Sequence, residues 1–400
     1  MEDFYPIFWF NNLFGCDENI NKIKNEFTIT QSKDRIEIVN NLNKKKIFHC
    51  GKLILKKYDS FKQMKPRGGG KLHLICGSGE FSSPPYYTDF LSAQNHPEFE
   101  GATFQIESSA MCIQNADSNT SQLNGITDYA FDSIQGAVGA FAAAPAAFYR
   151  NYICSPRINL LSDTPFHLKN GYVRIKDENE LDRLEGLNFD WNNPNHYLIG
   201  LQRNNEVMIR RDSIVYSKLC INTEPPKVHQ VFCVRFDFLK DVVSCAFTKQ
   251  VVKHVLEAQY RMTILAAWEN SLIYPNSPGS KILFLVPLGA EVGTSRRAIA
   301  EALSSCVDLI VDSGLEVYFS CPNQRISSKC LEVLQHDIDR TGGSVIKTKK
   351  VEHDDLSELE TCGCCKNCGF GNSIMLIFII VFFVIFVIIF KTFYNAFVDI

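Results

Sequence analysis

Neither sign of charge predominates in this chain: 41 lysines and arginines stand against 44 aspartates and glutamates, for a net charge of −3 and a pI near 6.3. That balance removes any global reason to expect a nucleic-acid partner. No internal repeat is evident, so repeat architectures are excluded. The opening segment, MEDFYPIFWFNNLFGCDENI, lacks a basic n-region and carries Glu2 and Asp3, so it is not a signal peptide. Histidines with ligand spacing are missing too. His49, His73, His96 and His229 lie far apart in apolar or loop contexts, and neither a metal site nor a Cys/His dyad follows from them. No cofactor is implied.

What is present is a long apolar run. Ile374 to Phe390, IMLIFIIVFFVIFVIIF, holds no charge, amide, Gly or Pro. Roughly 17 to 25 such residues cross a bilayer core, and lipid leaves a helix as the only way to satisfy that backbone. The run sits at the short end, which suits the endoplasmic reticulum or another thin endomembrane. Only Lys391 to Ile400 follow it, so insertion after translation is expected, with the bulk of the chain left in the cytosol. Lys366 and Lys391 flank the span one on each side and do not settle orientation.

Four of the fifteen cysteines, Cys362, Cys364, Cys365 and Cys368, cluster just before the run. Juxtamembrane cytosolic cysteines are commonly S-acylated, and acyl chains would reinforce a minimal span. The pair Cys365 and Cys368 also forms a C-x-x-C half-site, but no second half-site follows, and unmodified thiols are the third reading. The other eleven are scattered, several in apolar stretches such as LHLICG and VVSCAF, as expected of reduced, buried thiols.

Less the anchor and the segment leading into it, about 345 residues remain, enough for one large α/β domain or two smaller ones. Expected divisions are an N-terminal α+β extension over 1–100, an α/β core over 101–346, a linker with the cysteine cluster over 347–373, the transmembrane helix over 374–390 and a tail over 391–400. Lys71–Cys76 and Ala102–Ile106 pattern as strands. Ser133–Tyr152 is Ala-rich and helical, with a kink or break expected at Pro145. Phe247–Glu269 is an amphipathic helix with Val251, Val255, Ala258, Met262, Leu265 and Ala266 on one face. Lys281–Leu288 reads as a strand buried on both faces, followed by a turn at Gly289–Thr294, a helix over Arg296–Asp308 and a strand over Leu315–Ser320. This is βαβ logic, and ligands of such sheets bind where strand ends meet helix starts.

The turn Gly289–Thr294 (GAEVGT) precedes a helix whose free N–H groups suit an anion, although Thr294 or Ser295 serves equally as a simple N-cap. Asp132 and Gln135 at the head of the Ala-rich helix read either as caps or as ligand contacts. Arg150, in Tyr149-Arg-Asn-Tyr152, stands at a helix C-terminus, where the dipole favours a cation.

Together these segments resemble the macro-domain-like family related to ADP-ribose-binding and poly(ADP-ribose) glycohydrolase folds. That family shows F-Q-V-A-S-x-F-N-x-L-E, then D-R-T-Q-G-P-A-C-A ending in Y-R-N-Y, then L-T-L-x-G-G-G-x-F-G-N. Here the counterparts are Phe104–Gln114, Asp132–Ala140 with Tyr149–Tyr152, and Leu285–Thr294. The resemblance covers roughly residues 12 to 322. It implies an α/β fold with a mixed sheet flanked by helices, ADP-ribose or ADP-ribosylated protein as partner beside the lipid bilayer, and ADP-ribosyl hydrolase activity where active. Implied ligand contacts are Gln105, Ser108, Gln135, Gly136, Arg150, Asn151, Gly289, Gly293 and Thr294. Glu291 and Asp132 are the implied catalytic groups. Three departures point to an eroded site. Met111 replaces an Asn, Ala290 and Glu291 replace glycines, and Thr294 replaces the last Asn. Glu291 would set a carboxylate beside a phosphate, repelling it or acting as a general acid. The alternative is an inactive interaction or scaffold protein on a cytosolic membrane face.

Overall fold

The computed structural model describes residues 4–77, 89–114, 125–131, 135–154, 157–173, 175, 177–212, 218–236 and 245–348. Asp132, the cysteine cluster and the apolar run 374–390 lie outside them. Among the described residues no helix is long and apolar enough to cross a membrane.

Eight strands form the central sheet: β1 (Leu53–Lys56), β2 (Lys71–Cys76), β3 (Thr103–Ser108), β4 (Ile199–Glu206), β5 (Lys227–Val234), β6 (Ile282–Leu285), β7 (Glu316–Cys321) and β8 (Val345–Lys347). Their spatial order is β8-β2-β7-β6-β3-β5-β4-β1. The neighbours from β8 through β5 are parallel, whereas β4 pairs antiparallel with both β5 and β1. The result is a mixed sheet flanked by helices, as expected.

Both faces of the middle strands are covered, so β3 is buried at every position although Thr103-Phe-Gln-Ile-Glu107 alternates polar and apolar. One face carries the helix α1 (Phe90–Gln94), α2 (Gln135–Ala142) and α3 (Ala144–Phe148). Phe104 stacks on Phe284 at 4.8 Å, and Phe90 meets both edge-on or nearly so. The other face carries the long helix α4 (Ala246–Ile273), whose Asn270 donates to the Thr103 hydroxyl at 3.0 Å.

The Ala-rich segment breaks at Ala143, beside Pro145, and its last turn, Tyr149–Cys154, is a π-helix. Proline removes one backbone donor and crowds the preceding turn, so a break there is the physical outcome. The helix expected over Arg296–Asp308 is two helices, α5 (Arg296–Ser304) and α6 (Val307–Ser313). Ser305 Oγ donates to the Ala302 carbonyl at 2.7 Å, a local bond that competes with helix continuation. A last helix, α7 (Gln324–Thr341), leads into β8.

A division at residue 100 would cut the sheet, because β1 and β2 precede it and β2 lies between β7 and β8. Residues Met1–Val351 form one compact unit. What does stand apart before residue 52 is a three-stranded antiparallel meander, Phe27–Gln31, Arg35–Asn40 and Ile47–Gly51. It is tied to the core by an aromatic cluster. Phe14 lies 4.9 Å from Phe148 and 5.1 Å from Phe48, while Trp9 meets Phe141 at 4.9 Å. Glu18 adds a polar clamp, accepting from the N–H groups of Ile126 (2.6 Å) and Thr127 (2.9 Å) and from the Thr127 and Tyr152 hydroxyls.

Candidate functional site

Three of the segments that carry the family resemblance meet at the C-terminal end of β3. The start of α2 lies on that end so closely that a Cβ on Gly136 would sit 2.1 Å from the Glu107 carbonyl oxygen. The turn after β6 reaches the same place: the Gly289 N–H donates to Glu107 Oε2 at 2.7 Å. On the other side Arg235, following β5, sets Nη1 3.5 Å from Glu107 Oε1, with its guanidinium 4.9 Å from the Tyr172 ring centroid. Glu107 and Arg235 are both buried.

Glu107 is the residue that sequence reading missed. A signal was there: the resemblance motif F-Q-V-A-S carries Ala at this position, and a carboxylate in a strand buried on both faces must find partners inside the protein.

The turn itself is internally bonded. Besides Gly289, the N–H groups of Ala290, Val292 and Thr294 donate to the carbonyls of Pro287 (3.0 Å), Gly289 (3.1 Å) and Gly289 (2.9 Å). Gly289 is left-handed at φ +76°, and a Cβ there would lie 2.3 Å from Thr294 Oγ1, so the close turn requires glycine. Gly293 is also left-handed, at φ +108°. Ser295 is the N-cap of α5, its Oγ accepting from the Ala298 N–H at 3.4 Å. Thr294 is buried and Glu291 is exposed. From beneath, the buried Tyr260 hydroxyl donates to the Val286 carbonyl at 2.9 Å and accepts from the Leu288 N–H at 3.3 Å, fixing the strand's exit.

The other expected contacts are engaged within the core. Gln105 donates to Thr263 Oγ1 at 3.1 Å and accepts from the Val286 N–H at 3.2 Å. Ser108 Oγ donates to the Ser109 and Cys233 carbonyls at 2.9 and 3.2 Å. Gln135 accepts from the Phe90 N–H at 3.0 Å, joining α2 to the head of α1. Met111 packs half-buried against the core. Gln105 and Ser108 face neighbours in the sheet or helices, because β3 is an inner strand and has no open face.

Arg150 is 1% exposed. Its Nε donates to the Cys112 carbonyl at 2.9 Å and Nη1 to Gln202 Oε1 at 2.8 Å, and the guanidinium lies 3.9 Å from the Phe232 ring centroid. Among the described residues it has no carboxylate partner. Burial pushes its pKa down to about 10, so the cation persists at neutral pH. The same arrangement pushes the Cys112 and Cys50 thiols well up, chiefly by burial and against the pull of Arg150. Asn151 is buried beside it. Among the described residues no group of His, Cys, Asp or Glu is arranged to hold a metal ion.

No known protein-family profile and no curated protein matches this chain. Solved structures do. The chain is similar to the poly(ADP-ribose) glycohydrolase of Thermomonospora curvata at 11% identity and a TM-score of 0.37, over 72% of this chain and 85% of that one. It is likewise similar to the glycohydrolase of Deinococcus radiodurans in complex with ADP-ribose, at 10% identity and a TM-score of 0.35, over 68% of this chain and 87% of that one.

Proposed function

We propose that this chain is a macro-domain-like protein whose nucleotide site is filled from within, and that it acts at a cytosolic membrane face as a non-catalytic interaction protein. The observation that carries this reading is the Glu107 carboxylate on the Gly289 N–H. In a macro-type turn, backbone N–H groups cradle the diphosphate. Here the first of them is held by a buried anion of the protein's own, and three more are bonded within the turn. A phosphate entering would meet that carboxylate. At roughly 4 Å two such charges repel by about 1 kcal/mol in water and several times more in a partly buried cleft. Each 1.4 kcal/mol or so is tenfold in affinity.

A second reading is a domain that recognises or removes ADP-ribose, with Glu291 as general acid. The exposure of Glu291 on a turn that keeps Gly289 and Gly293 left-handed favours it.

Calorimetric titration of the full chain with ADP-ribose separates the two, beside a release assay on ADP-ribosylated protein. The wild type should bind no more tightly than roughly millimolar and release nothing above background, while Glu107→Ala should gain roughly tenfold or more in affinity. Glu291→Gly should gain affinity in the same direction. Tight wild-type binding with hydrolysis lost in Glu291→Gln would overturn the first reading in favour of the second.

The uncharged run 374–390 supports placing this protein at an endomembrane, with the cysteines at 362, 364, 365 and 368 as acylation sites. Truncation at Gly371 with these four cysteines changed to serine should move the protein from the carbonate-resistant pellet to the soluble fraction. A truncated form that still resists carbonate extraction would refute the anchor.

A further inference from the structure

At the far end of the parallel strands from Glu107, three side chains from separate parts of the chain are joined in a line. Ser344, in the loop between α7 and β8, sets its Oγ 3.0 Å from His73 Nδ1 in β2. His73 Nε2 lies 2.7 Å from Glu316 Oε2 at the start of β7. Lys71 Nζ lies 3.1 Å from the other oxygen of the same carboxylate.

The protons in this line are assignable. The Ser344 backbone N–H also points at His73 Nδ1, at 3.2 Å. A backbone N–H can only donate, so Nδ1 is an acceptor, and the ring proton sits on Nε2 and is donated to Glu316. The single Nδ1 lone pair is shared between the Ser344 N–H and the Ser344 hydroxyl, which places the hydroxyl where a general base can take its proton. Its plane is fixed by stacking on Tyr318, with ring centroids 4.8 Å apart at 17°. Burial raises the Glu316 carboxyl, but hydrogen bonds from His73 and Lys71 outweigh it and leave the group below its ordinary value.

The chain is shaped to bring Ser344 here. Gly342 ends α7 in the left-handed conformation at φ +68°, and a Cβ on Gly343 would lie 1.8 Å from the Leu72 carbonyl oxygen. Only two successive glycines let the loop pass so close to β2. The Ser344 carbonyl then accepts from the Leu74 N–H at 3.0 Å. Ser344 is exposed, while His73 is 9% exposed. An accessible hydroxyl, a shielded base and an ionised carboxylate behind it are the parts of an acyl-transfer site.

We propose that Ser344 and His73 form a second, esterase-type site, with Glu316 as positioning residue, that hydrolyses small carboxylic esters. Ser344 Oγ attacks the ester carbonyl carbon and forms the O–C bond as its proton passes to His73 Nδ1. Protonation of Nδ1 releases the Ser344 N–H, which then stands beside the new bond to receive the oxyanion. The bond to the leaving alcohol breaks, and the alcohol takes the proton from His73. Water attacks the acyl-serine, gives its proton to His73, and the acid departs as Ser344 recovers that proton. Glu316 stays ionised throughout and holds the Nε2–H.

The test uses the purified full chain in detergent with a fluorophosphonate probe and p-nitrophenyl acetate. The probe should modify Ser344, as read by mass spectrometry. Ser344→Ala, an exposed change that leaves the fold intact, should lose the label and slow ester hydrolysis by roughly a hundredfold or more. Glu316→Gln should slow it through kcat with KM little changed, and Glu316→Asp should restore part of the rate. A purely structural carboxylate would not give that split. Equal hydrolysis by wild type and Ser344→Ala, or label found on another residue, would overturn the proposal.

Discussion

Arg150→Ala is expected to lower stability by about 3–5 kcal/mol. Two terms add. Truncation empties the volume of one of the largest fully buried side chains. It also strands the Cys112 carbonyl and the Gln202 side-chain oxygen, each of which loses its donor in a region closed to water. Removing a buried partner costs about 1–3 kcal/mol for each group left unpaired. Arg150→Lys keeps the charge but not the planar fork that reaches both acceptors and lies on the Phe232 ring, so it should fall between alanine and wild type. Urea denaturation of wild type and both variants is the measurement. An alanine variant within about 1 kcal/mol of wild type would show that the guanidinium is replaceable by water there.

The second large effect is expected at Gly136. Gly136→Ala places a methyl carbon 2.1 Å from the Glu107 backbone oxygen, which belongs to an inner strand and cannot yield. The start of α2 must lift off the sheet, and with it goes the Gln135 bond to the head of α1. Overpacking against backbone of this kind costs about 2–4 kcal/mol. Gly139→Ala on the same helix is the control. Its nearest neighbour is Ile106 Cδ1 at 2.6 Å, the tip of a side chain that can rotate away. Thermal unfolding should show Gly136→Ala well below Gly139→Ala. The reverse order would mean that helix and sheet separate freely at β3.

Gly136 also illustrates what a sequence can carry. Its place in the resemblance motif suggests a ligand contact, and its small size is also what lets a helix approach a strand this closely. Strands such as Lys71–Cys76 and the helix at Ala246–Ile273 were legible because apolar runs and helical spacing are local signals. Gln105 was placed correctly on a strand, which runs two residues further than expected to include Ser108, but whether that strand had an open face depended on α2 and α4, which fold over it from distant segments. The closure of the turn was less legible still. Glu107 and Gly289 are 182 positions apart, and nothing in the GAEVGT turn reveals that a carboxylate from another strand occupies its first donor. His73 was passed over for the same reason: Ser344 is 271 positions away.

The strand order has a consequence for how the protein is made. β2 is synthesised early, yet both strands that flank it, β7 and β8, are among the last to leave the ribosome. Lys71 and its partner Glu316 are separated by 245 positions. Until the chain has grown past Cys321, β2 has no native neighbour, and a bare apolar strand edge is prone to wrong pairing. Topologies of this kind fold slowly, because distant ends must meet before any pairing is rewarded. On this order the newborn polypeptide is expected to carry β2 unpaired until β7 has been made, and β8 closes that edge of the sheet last.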